Sequence, residues 1–464
     1  MAATRKSRDL TQGDVFAHMA RMVIPMCLGI VAMMAVGVVD AYWVGQLGTA
    51  QQAAVQFVFP VNMAVMSIAI GLGAGAASVV ARAAGRGSHD RTRRLATDSV
   101  VLSFALVIVT SAVGITIIDP LFTLMGATDA MMPHVRDFMQ IWFAGIVFIV
   151  GPMIASNILR ALGDAIVPSV IMVLAAILNM ALDPLMIFGW GPVPALGVQG
   201  AAAATLISNM VVFVIAMAIL IFREKIMDLS WPGWNELLWN WREIARVGIP
   251  ASGSNMISPI AMSIAFASMA RFGEGAVGGL GVAMRVEAFA IIPFFAMSAC
   301  IGPIAGQNGG AGMTDRVREA FFKSFLFCAG WGLAMAVLLF AFGGMLAGLF
   351  LPSEEGRAVA ELYWRIVPFT VMGYGIAMVA SAGFNGLGRP LQGISLNAIR
   401  GFVLLAPLSW VIGSLYGSTG VIAGIAAANG LMAVLGVIYT LRFAPLTADN
   451  GKQRPVAPKP ASAE

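Results

Sequence analysis

The stretch MVIPMCLGIVAMMAVGVVDAYWVG, residues 22–45, contains a single charged residue, Asp40. A transmembrane α-helix needs about 20 consecutive apolar residues, so this stretch predicts a membrane span. Working outward from it, we find eleven further stretches of this kind, bounded by glycine, proline and clusters of charge. The twelve predicted spans are 22–45, 53–81, 97–118, 133–156, 166–189, 200–222, 247–270, 278–304, 322–350, 362–383, 391–414 and 420–441.

The composition of the whole chain agrees with this interpretation. Of its 464 residues, 59% are hydrophobic and 11% are charged, whereas a soluble globular protein carries about 25% charged residues. So few charges cannot cover a surface that faces water. The composition therefore excludes a soluble enzyme, a nucleic-acid-binding protein and a disordered chain. It indicates that the protein is embedded in a lipid bilayer.

Lysine and arginine are distributed unequally between the two sides of the predicted spans. Of the 28 basic residues, 22 fall in the N-terminal segment, in the loops that follow even-numbered spans and in the C-terminal tail. Short basic loops stay in the cytoplasm. We therefore expect a multi-pass protein of the bacterial plasma membrane (the inner membrane) with both termini in the cytoplasm.

The chain also contains an internal repeat. RMVIP at residues 21–25 returns as RVGIP at residues 246–250, and the same offset of 225 residues places Gly85 on Gly310. Because each half contains six spans, both halves begin on the same side of the membrane and form parallel repeats. The sequence thus predicts an all-α integral membrane fold with twelve transmembrane helices in two parallel-repeat six-helix lobes. The predicted order is a cytoplasmic N-terminal segment (1–21), an N-lobe (22–222), a cytoplasmic amphipathic linker (223–246), a C-lobe (247–441) and a disordered cytoplasmic tail (442–464).

The predicted linker has its own pattern. Trp234, Leu237 and Trp241 recur at helical spacing, while Asn240 and Glu243 belong to a polar face. An amphipathic helix of this kind is expected to lie flat at the cytoplasmic surface, with its tryptophans at the level of the lipid headgroups.

Four polar residues of the N-half form the main candidate site. Asp40 and Asp183 lie at matching depth in spans one and five, Asn179 is one helical turn from Asp183, and Thr205 is in span six. Charges inside a bilayer are costly and usually functional. These residues offer oxygen ligands to a hard cation such as Na⁺, or a polar pocket in which an aspartate takes up a proton. A third interpretation is that they only hydrogen-bond to hold the N-half together.

The second half differs at the equivalent positions, where Ala265, Leu404 and Leu408 replace Asp40, Asn179 and Asp183. Ion coupling is therefore expected in the N-half alone.

Three further charged residues lie within spans of the C-half. Glu287 could meet a cationic substrate or pair with Arg400, and Arg285 lies two residues from Glu287. Together with Asp40 and Asp183 these residues are the candidates for substrate binding. Elsewhere, Asp98 near the end of span three is expected to form a boundary ion pair with Arg94 one turn away.

Other kinds of chemistry find no support in the sequence. The chain has no GxxxxGK[ST] phosphate-binding loop, its three histidines are scattered, and its three cysteines lack CxxC spacing. We therefore expect no enzyme activity and no cofactor apart from a coupling ion.

Several stretches resemble the multidrug and toxic compound extrusion (MATE) family of transporters. They are VDAYWVGQLGTAQQAAV (39–55), LRALGDAIVPS (159–169), LNMALDP (178–184), GVQGAAAATLIS (197–208) and GPIAGQNGGAG (302–312). The resemblance implies efflux of hydrophobic organic cations, exchanged for H⁺ or Na⁺ by alternating access of two lobes. It places the family's ion site on Asp40, Asn179, Asp183 and Thr205. Spans seven and ten carry no acid, as in the DinF-like rather than the NorM-like branch, and the protein is expected to act as a monomer.

Two alternatives remain open at this stage. A major facilitator exporter also has two parallel six-span halves, but ARAAGRGSHDRTRR (81–94) lacks the acidic residue of that family's loop motif. A flippase for a lipid-linked precursor, a function of related folds, is expected to have a strongly cationic cavity. Only Arg285 and Arg400 are basic residues within spans.

Overall fold

The computed structural model describes residues 9–129, 131–191 and 194–444, with the side chains of residues 49 and 50 excepted. The residues 1–8 of the predicted N-terminal segment and 445–464 of the predicted tail lie outside the described residues. The described helices are α1 (Val15–Gly45), α2 (Thr49–Gly85), α3 (His89–Leu124), α4 (Met132–Ala161), α5 (Ile166–Phe188), α6 (Val198–Ala218), α7 (Trp234–Ala270), α8 (Glu274–Ala290), α9 (Ile292–Gly310), α10 (Thr314–Phe350), α11 (Glu354–Ile366), α12 (Met372–Gly386), α13 (Pro390–Ala398) and α14 (Ala406–Phe443).

These helices account for the predicted spans. In the described part of the chain, eight helical stretches are long and apolar enough to cross a membrane, or ten if each of two bent pairs is one span. The bent pairs are α8 with α9 (47°) and α11 with α12 (53°). Span seven lies within α7, and the stretch 390–443 holds spans eleven and twelve.

Spans eleven and twelve form a helical hairpin that reverses at Tyr416 and Gly417. Gly417 has a φ of 67°, in the left-handed region that glycine adopts without a steric penalty. Beyond the turn the two arms lie side by side, because a Cβ on Gly413 would come 2.7 Å from Val421 Cγ2. Two π-helical turns, Ile219–Arg223 after α6 and Ile399–Leu405 between α13 and α14, interrupt the regular helices.

The N-lobe (α1–α6) and the C-lobe (α7–α14) meet at one end of the molecule. We call it the closed end; it is the end at which α1, α3 and α7 begin. Here α2 crosses α9 so closely that a Cβ on Gly85 would lie 2.0 Å from the carbonyl oxygen of Gln307, and one on Gly310 would lie 2.3 Å from that of Arg82. Glycines permit such backbone contact between membrane helices.

The contact between the lobes stops part-way along the helices. The hydrogen bond between the lobes that lies farthest from the closed end, among the described residues, runs from Ser252 Oγ on α7 to the carbonyl oxygen of Ile68 on α2, at 3.4 Å. Beyond it no hydrogen bond or ion pair joins the lobes among the described residues. We infer a cleft between the lobes that opens toward the opposite end, which we call the open end.

The segment before α1 ties the two lobes together at the closed end. The N–H of Leu10 donates to Gln307 Oε1 (3.1 Å), and its carbonyl oxygen accepts from Asn308 Nδ2 (3.0 Å). Asp14 forms an ion pair with Lys323 at 2.9 Å. The hydrogen bond from Lys323 lowers the pKa of Asp14.

The residues predicted to form an amphipathic linker at the cytoplasmic surface do not form a helix of their own. Residues 234–246 belong to the same continuous helix as span seven, α7. Two of its polar side chains, Asn240 and Glu243, bind the N-lobe: Asn240 is fully buried and donates to Asp98 Oδ2 (2.6 Å). Glu243 pairs with Arg82 (3.4 Å) and Arg91 (3.1 Å). Since no glycine or proline lies between residues 234 and 247, nothing in the sequence breaks the helix there.

Candidate functional site

Asp40 and Asp183 approach each other from two packed helices of the N-lobe. Each lies five residues before the end of its helix, α1 or α5, about 7.5 Å along the helix axis. Their carboxyl groups are within hydrogen-bonding reach of each other. Asp183 is fully buried, whereas Asp40 is half-buried.

Asp183 has no hydrogen-bond donor of its own. Both of its carboxyl oxygens are buried and accept no hydrogen bond in the structure. A buried carboxylate without a partner is strongly unfavourable. A proton shared with Asp40, or a small cation held between the two carboxyl groups, removes this penalty.

Asn179 and Thr205 complete the cluster. With its amide nitrogen turned toward Asp40, Asn179 donates to Asp40 Oδ1 at 3.3 Å. Its amide oxygen then accepts from both Oγ1 and N of Thr205, at 3.2 Å each. The structure thus brings together all four residues of the predicted N-half site, from α1, α5 and α6.

The C-lobe offers no such cluster at the equivalent positions. Ala265 is fully buried and Leu404 and Leu408 are apolar. Among the described residues, no three histidine, cysteine, aspartate or glutamate side chains form a metal-binding group. A Na⁺ ion at the N-lobe site would therefore depend on the amide and hydroxyl oxygens as well as on the carboxylates.

Glu287 and Arg400 have partners of their own in the C-lobe interior. Glu287 accepts a hydrogen bond from the hydroxyl of Tyr363 on α11. Arg400 donates from Nε and Nη2 to Asn429 Oδ1, at 3.2 and 3.1 Å, and its guanidinium lies 4.0 Å from the ring centre of Tyr374. Within the described chain no ion pair joins Glu287 to Arg400, so their predicted direct pairing is not observed.

The partners Tyr363, Tyr374 and Asn429 were not identified from the sequence. Arg400 lies on the π-helical turn Ile399–Leu405, which rotates the side chains that follow it relative to a regular α-helix. A regular helical projection therefore misplaces them. The sequence did contain one signal for these partners. The chain has only five tyrosines, and a tyrosine inside a span requires a hydrogen-bond partner.

Arg285 differs from these buried groups because it is exposed. It lies two residues from Glu287 on α8, so the two side chains point to different faces of the helix. Glu287 faces α11, whereas Arg285 faces away from the C-lobe core. A charged side chain in contact with lipid at the bilayer centre costs at least about 2.5–3.5 kcal/mol, which favours water over lipid as the surroundings of Arg285.

The predicted boundary pair between Arg94 and Asp98 is present. Arg94 Nε donates to Asp98 Oδ2 at 3.0 Å and its Nη2 donates to Asp98 Oδ1. Asp98 is fully buried, and Asn240 of α7 supplies a third donor. The pair therefore holds α7 against the N-lobe.

A membrane-spanning bundle of two repeated lobes, closed at one end and carrying buried acids beside a cleft, defines a secondary transporter. The comparison with family models makes the class specific: the MatE family model matches residues 25–185 and again residues 250–411. The chain belongs to the MATE family of transporters. The two matched stretches begin at Pro25 and Pro250, the offset of the internal repeat.

Individual relatives agree with this assignment. The chain is 32% identical to a protein of Shewanella oneidensis named FAD transporter, over 89% of this chain and 91% of the relative. It is 23% identical to the multidrug export protein MepA of Staphylococcus aureus, over 95% and 97%. Its fold is similar to the crystal structure of the Vibrio cholerae MATE transporter VcmN in the bent form, with a TM-score of 0.88, 26% identity, and coverage of 93% and 97%.

These findings confirm three predictions from the sequence. The family is the one its motifs resemble, the fold is the all-helical two-lobed membrane fold, and the protein is an efflux transporter and not an enzyme. Membership of this family also excludes the major facilitator alternative.

Proposed function

We propose that the protein exports small amphipathic organic compounds, including hydrophobic organic cations, in exchange for an inward-moving cation bound by Asp40 and Asp183. One observation carries this proposal: the partnerless carboxyl group of Asp183 lies beside Asp40 in one lobe only. A structural hydrogen-bond cluster would satisfy its own acceptors. The cluster of Asp40 and Asp183 instead lacks a proton or a cation that would satisfy its acceptors.

The orientation of the protein in the membrane follows from the distribution of basic residues. With both termini in the cytoplasm, the closed end is cytoplasmic and the cleft opens to the outside. The structure then represents the outward-facing state of a plasma-membrane protein. Because one chain contains both lobes and the cleft between them, the monomer is a complete transport unit.

Alternating access turns this geometry into antiport. In the outward-facing state the half-buried Asp40 gives an external cation a path to the fully buried Asp183. Loading neutralises one of the two carboxylates and weakens the attraction of the pair for a positively charged substrate, which leaves to the outside. In the inward-facing state the coupling cation dissociates, and the negative pair attracts the next organic cation. Such competition is reciprocal, since each ligand weakens the other by the same factor.

The orientation of the Asn179 amide depends on which ion binds. With its amide nitrogen turned to Asp40, the side chain satisfies Asp40 and Thr205 together. A Na⁺ ion at the same place needs the amide oxygen, and not the nitrogen, to face the carboxylates. Proton binding leaves the hydrogen bonds of Asn179 intact.

A second substrate class has support of its own. The Shewanella oneidensis relative is named FAD transporter, and FAD carries a negative pyrophosphate. The exposed guanidinium of Arg285 provides a positive group on the wall of the cleft. Export of an anionic aromatic compound is therefore a candidate function beside export of cations.

Reconstituted transport tests the coupling site. Wild type, Asp40→Asn and Asp183→Asn are compared in proteoliposomes with an imposed pH gradient or an imposed Na⁺ gradient. Both variants are expected to lose gradient-driven export while retaining normal folding. Asp119→Asn is the matched control, because Asp119 is exposed and pairs with Arg136 at 3.0 Å. Full transport by both site variants would contradict the proposal, and the gradient that drives the wild type identifies the ion.

A further inference from the structure

Arg285 lies on a bare strip of α8. Gly278 and Gly281 precede it by seven and four residues, so the three lie on one helical face. A Cβ added to either glycine would have no atom within 4 Å. The face is therefore open along the two helical turns from Gly278 to Arg285, and Glu274 lies one turn before them at the start of α8.

The strip faces away from the C-lobe core. The opposite face of α8 packs on α11, where a Cβ on Gly279 would come 2.4 Å from the carbonyl oxygen of Gly356. At its inner end α8 bends by 47° into α9, and α9 crosses the N-lobe helix α2 at the closed end. Arg285 lies seven residues before α9 begins, about 10 Å from the bend. It therefore stands near the floor of the cleft.

The guanidinium of Arg285 has no acceptor within the described part of the protein. Arg400, in contrast, is fully engaged by Asn429 and Tyr374. The nearest acid along the chain, Glu287, is on another face of α8 and is held by Tyr363. A guanidinium presents five donors in a planar fork that matches a phosphate or a carboxylate.

An exposed amide lies on the adjacent helix, α7. In the antiparallel pair of α7 and α8, the residue level with Arg285 is about Pro259, so Asn255 lies one turn deeper. Asn255 is exposed and makes no hydrogen bond in the structure. It comes one turn beyond Ser252, which closes the contact between the lobes.

We propose that Arg285, with Asn255 below it, forms an anion-binding subsite on the C-lobe wall of the cleft, which recognises a phosphate group on an aromatic substrate. This inference rests on the proposed function, since the substrate must occupy the cleft. It adds that the two walls have opposite charge, with acids in the N-lobe and a base in the C-lobe. A substrate with an aromatic body and a phosphate then binds through the base, while an organic cation binds through the acids.

Flavins that differ only by phosphate test the subsite. Binding of riboflavin, flavin mononucleotide and FAD to purified full-length protein is followed by quenching of flavin fluorescence. The wild type is expected to bind the two phosphorylated flavins at least tenfold more tightly than riboflavin. Arg285→Gln is expected to abolish this preference without changing riboflavin affinity more than twofold, and Arg285→Lys to retain part of it.

Controls separate this inference from the proposed function. Arg365→Gln removes another exposed C-lobe arginine, one that pairs with Glu361 at 3.4 Å, and is expected to leave the preference unchanged. Thermal unfolding of purified Arg285→Gln, expected to match that of the wild type, shows that the variant is folded. A wild type without preference for phosphate, or an Arg285→Gln variant that keeps the preference, would overturn the subsite. Loss of coupling in Asp40→Asn and Asp183→Asn would still stand in either case.

Discussion

Adding one methyl group at the closed end should shift the protein away from the outward-facing state. In Gly85→Ala the new Cβ would lie 2.0 Å from the carbonyl oxygen of Gln307 and 2.7 Å from its carbonyl carbon. These atoms belong to backbone, so no side-chain rotation relieves the clash. The two helices must separate by more than 1 Å, and they belong to opposite lobes.

The size of the effect follows from the cost of overpacking. An extra methylene in a tight contact costs about 1–3 kcal/mol, and every 1.4 kcal/mol is about a tenfold change in an equilibrium constant. Because α2 and α9 part when the cleft opens to the cytoplasm, the cost falls on the outward-facing state alone. The inward-facing population is expected to rise by about 5- to 150-fold relative to the outward-facing one.

Spin-label distances measure this shift. Labels on cysteines at the exposed positions Ser88 and Asp315 report the separation of the lobes at the closed end. Gly85→Ala should populate a longer distance. Gly37→Ala is the control, since a Cβ there has no atom within 4 Å. An unchanged distance distribution in Gly85→Ala would refute the argument that this contact holds the cytoplasmic end closed.

Three further predictions concern topology, linkage and stability. A cysteine at Thr128 should react with an impermeant thiol reagent added outside cells and one at Ser88 should not; the reverse pattern would invert the proposed orientation. The affinity for a fluorescent lipophilic cation should weaken as pH falls, and Asp40→Asn should flatten that dependence; a constant affinity from pH 5.5 to 8 in the wild type would exclude competition. Arg94→Met should lower the free energy of unfolding by about 3–5 kcal/mol, because it leaves the buried charge of Asp98 without its cation. The double variant Arg94→Met/Asp98→Leu should recover most of this loss, as measured by thermal unfolding. A double variant as unstable as Arg94→Met would contradict this prediction.

The N-lobe site was predictable because its signals are local. A charge inside an apolar stretch stands out against its neighbours, and the depth of Asp40 and Asp183 follows from counting residues along regular helices. Asn179 comes one turn from Asp183 by helical spacing alone. Short spacings on unbroken helices are readable without a structure.

The C-lobe contacts were not predictable in the same way. Whether Glu287 meets Arg400 depends on the rotation of α8 relative to α11 and on the π-helical turn that carries Arg400. In the structure Glu287 is hydrogen-bonded to Tyr363, and Arg400 is hydrogen-bonded to Asn429. Side-chain partners on separate elements are decided by the relative positions of those elements.

By itself, the sequence determined the membrane environment, the number of spans, the duplication and the family. Each of these is expressed in composition and in spacing along the chain. Only the tertiary structure decided that residues 234–246 continue span seven and dock on the N-lobe through Asn240 and Glu243. The amphipathic pattern shows that the two faces differ but not which face meets protein: here polar residues bind the N-lobe, whereas Trp234 and Leu238 remain exposed. The choice between them depends on the distant partners Asp98 and Arg82, which only folding brings to the same end of the molecule.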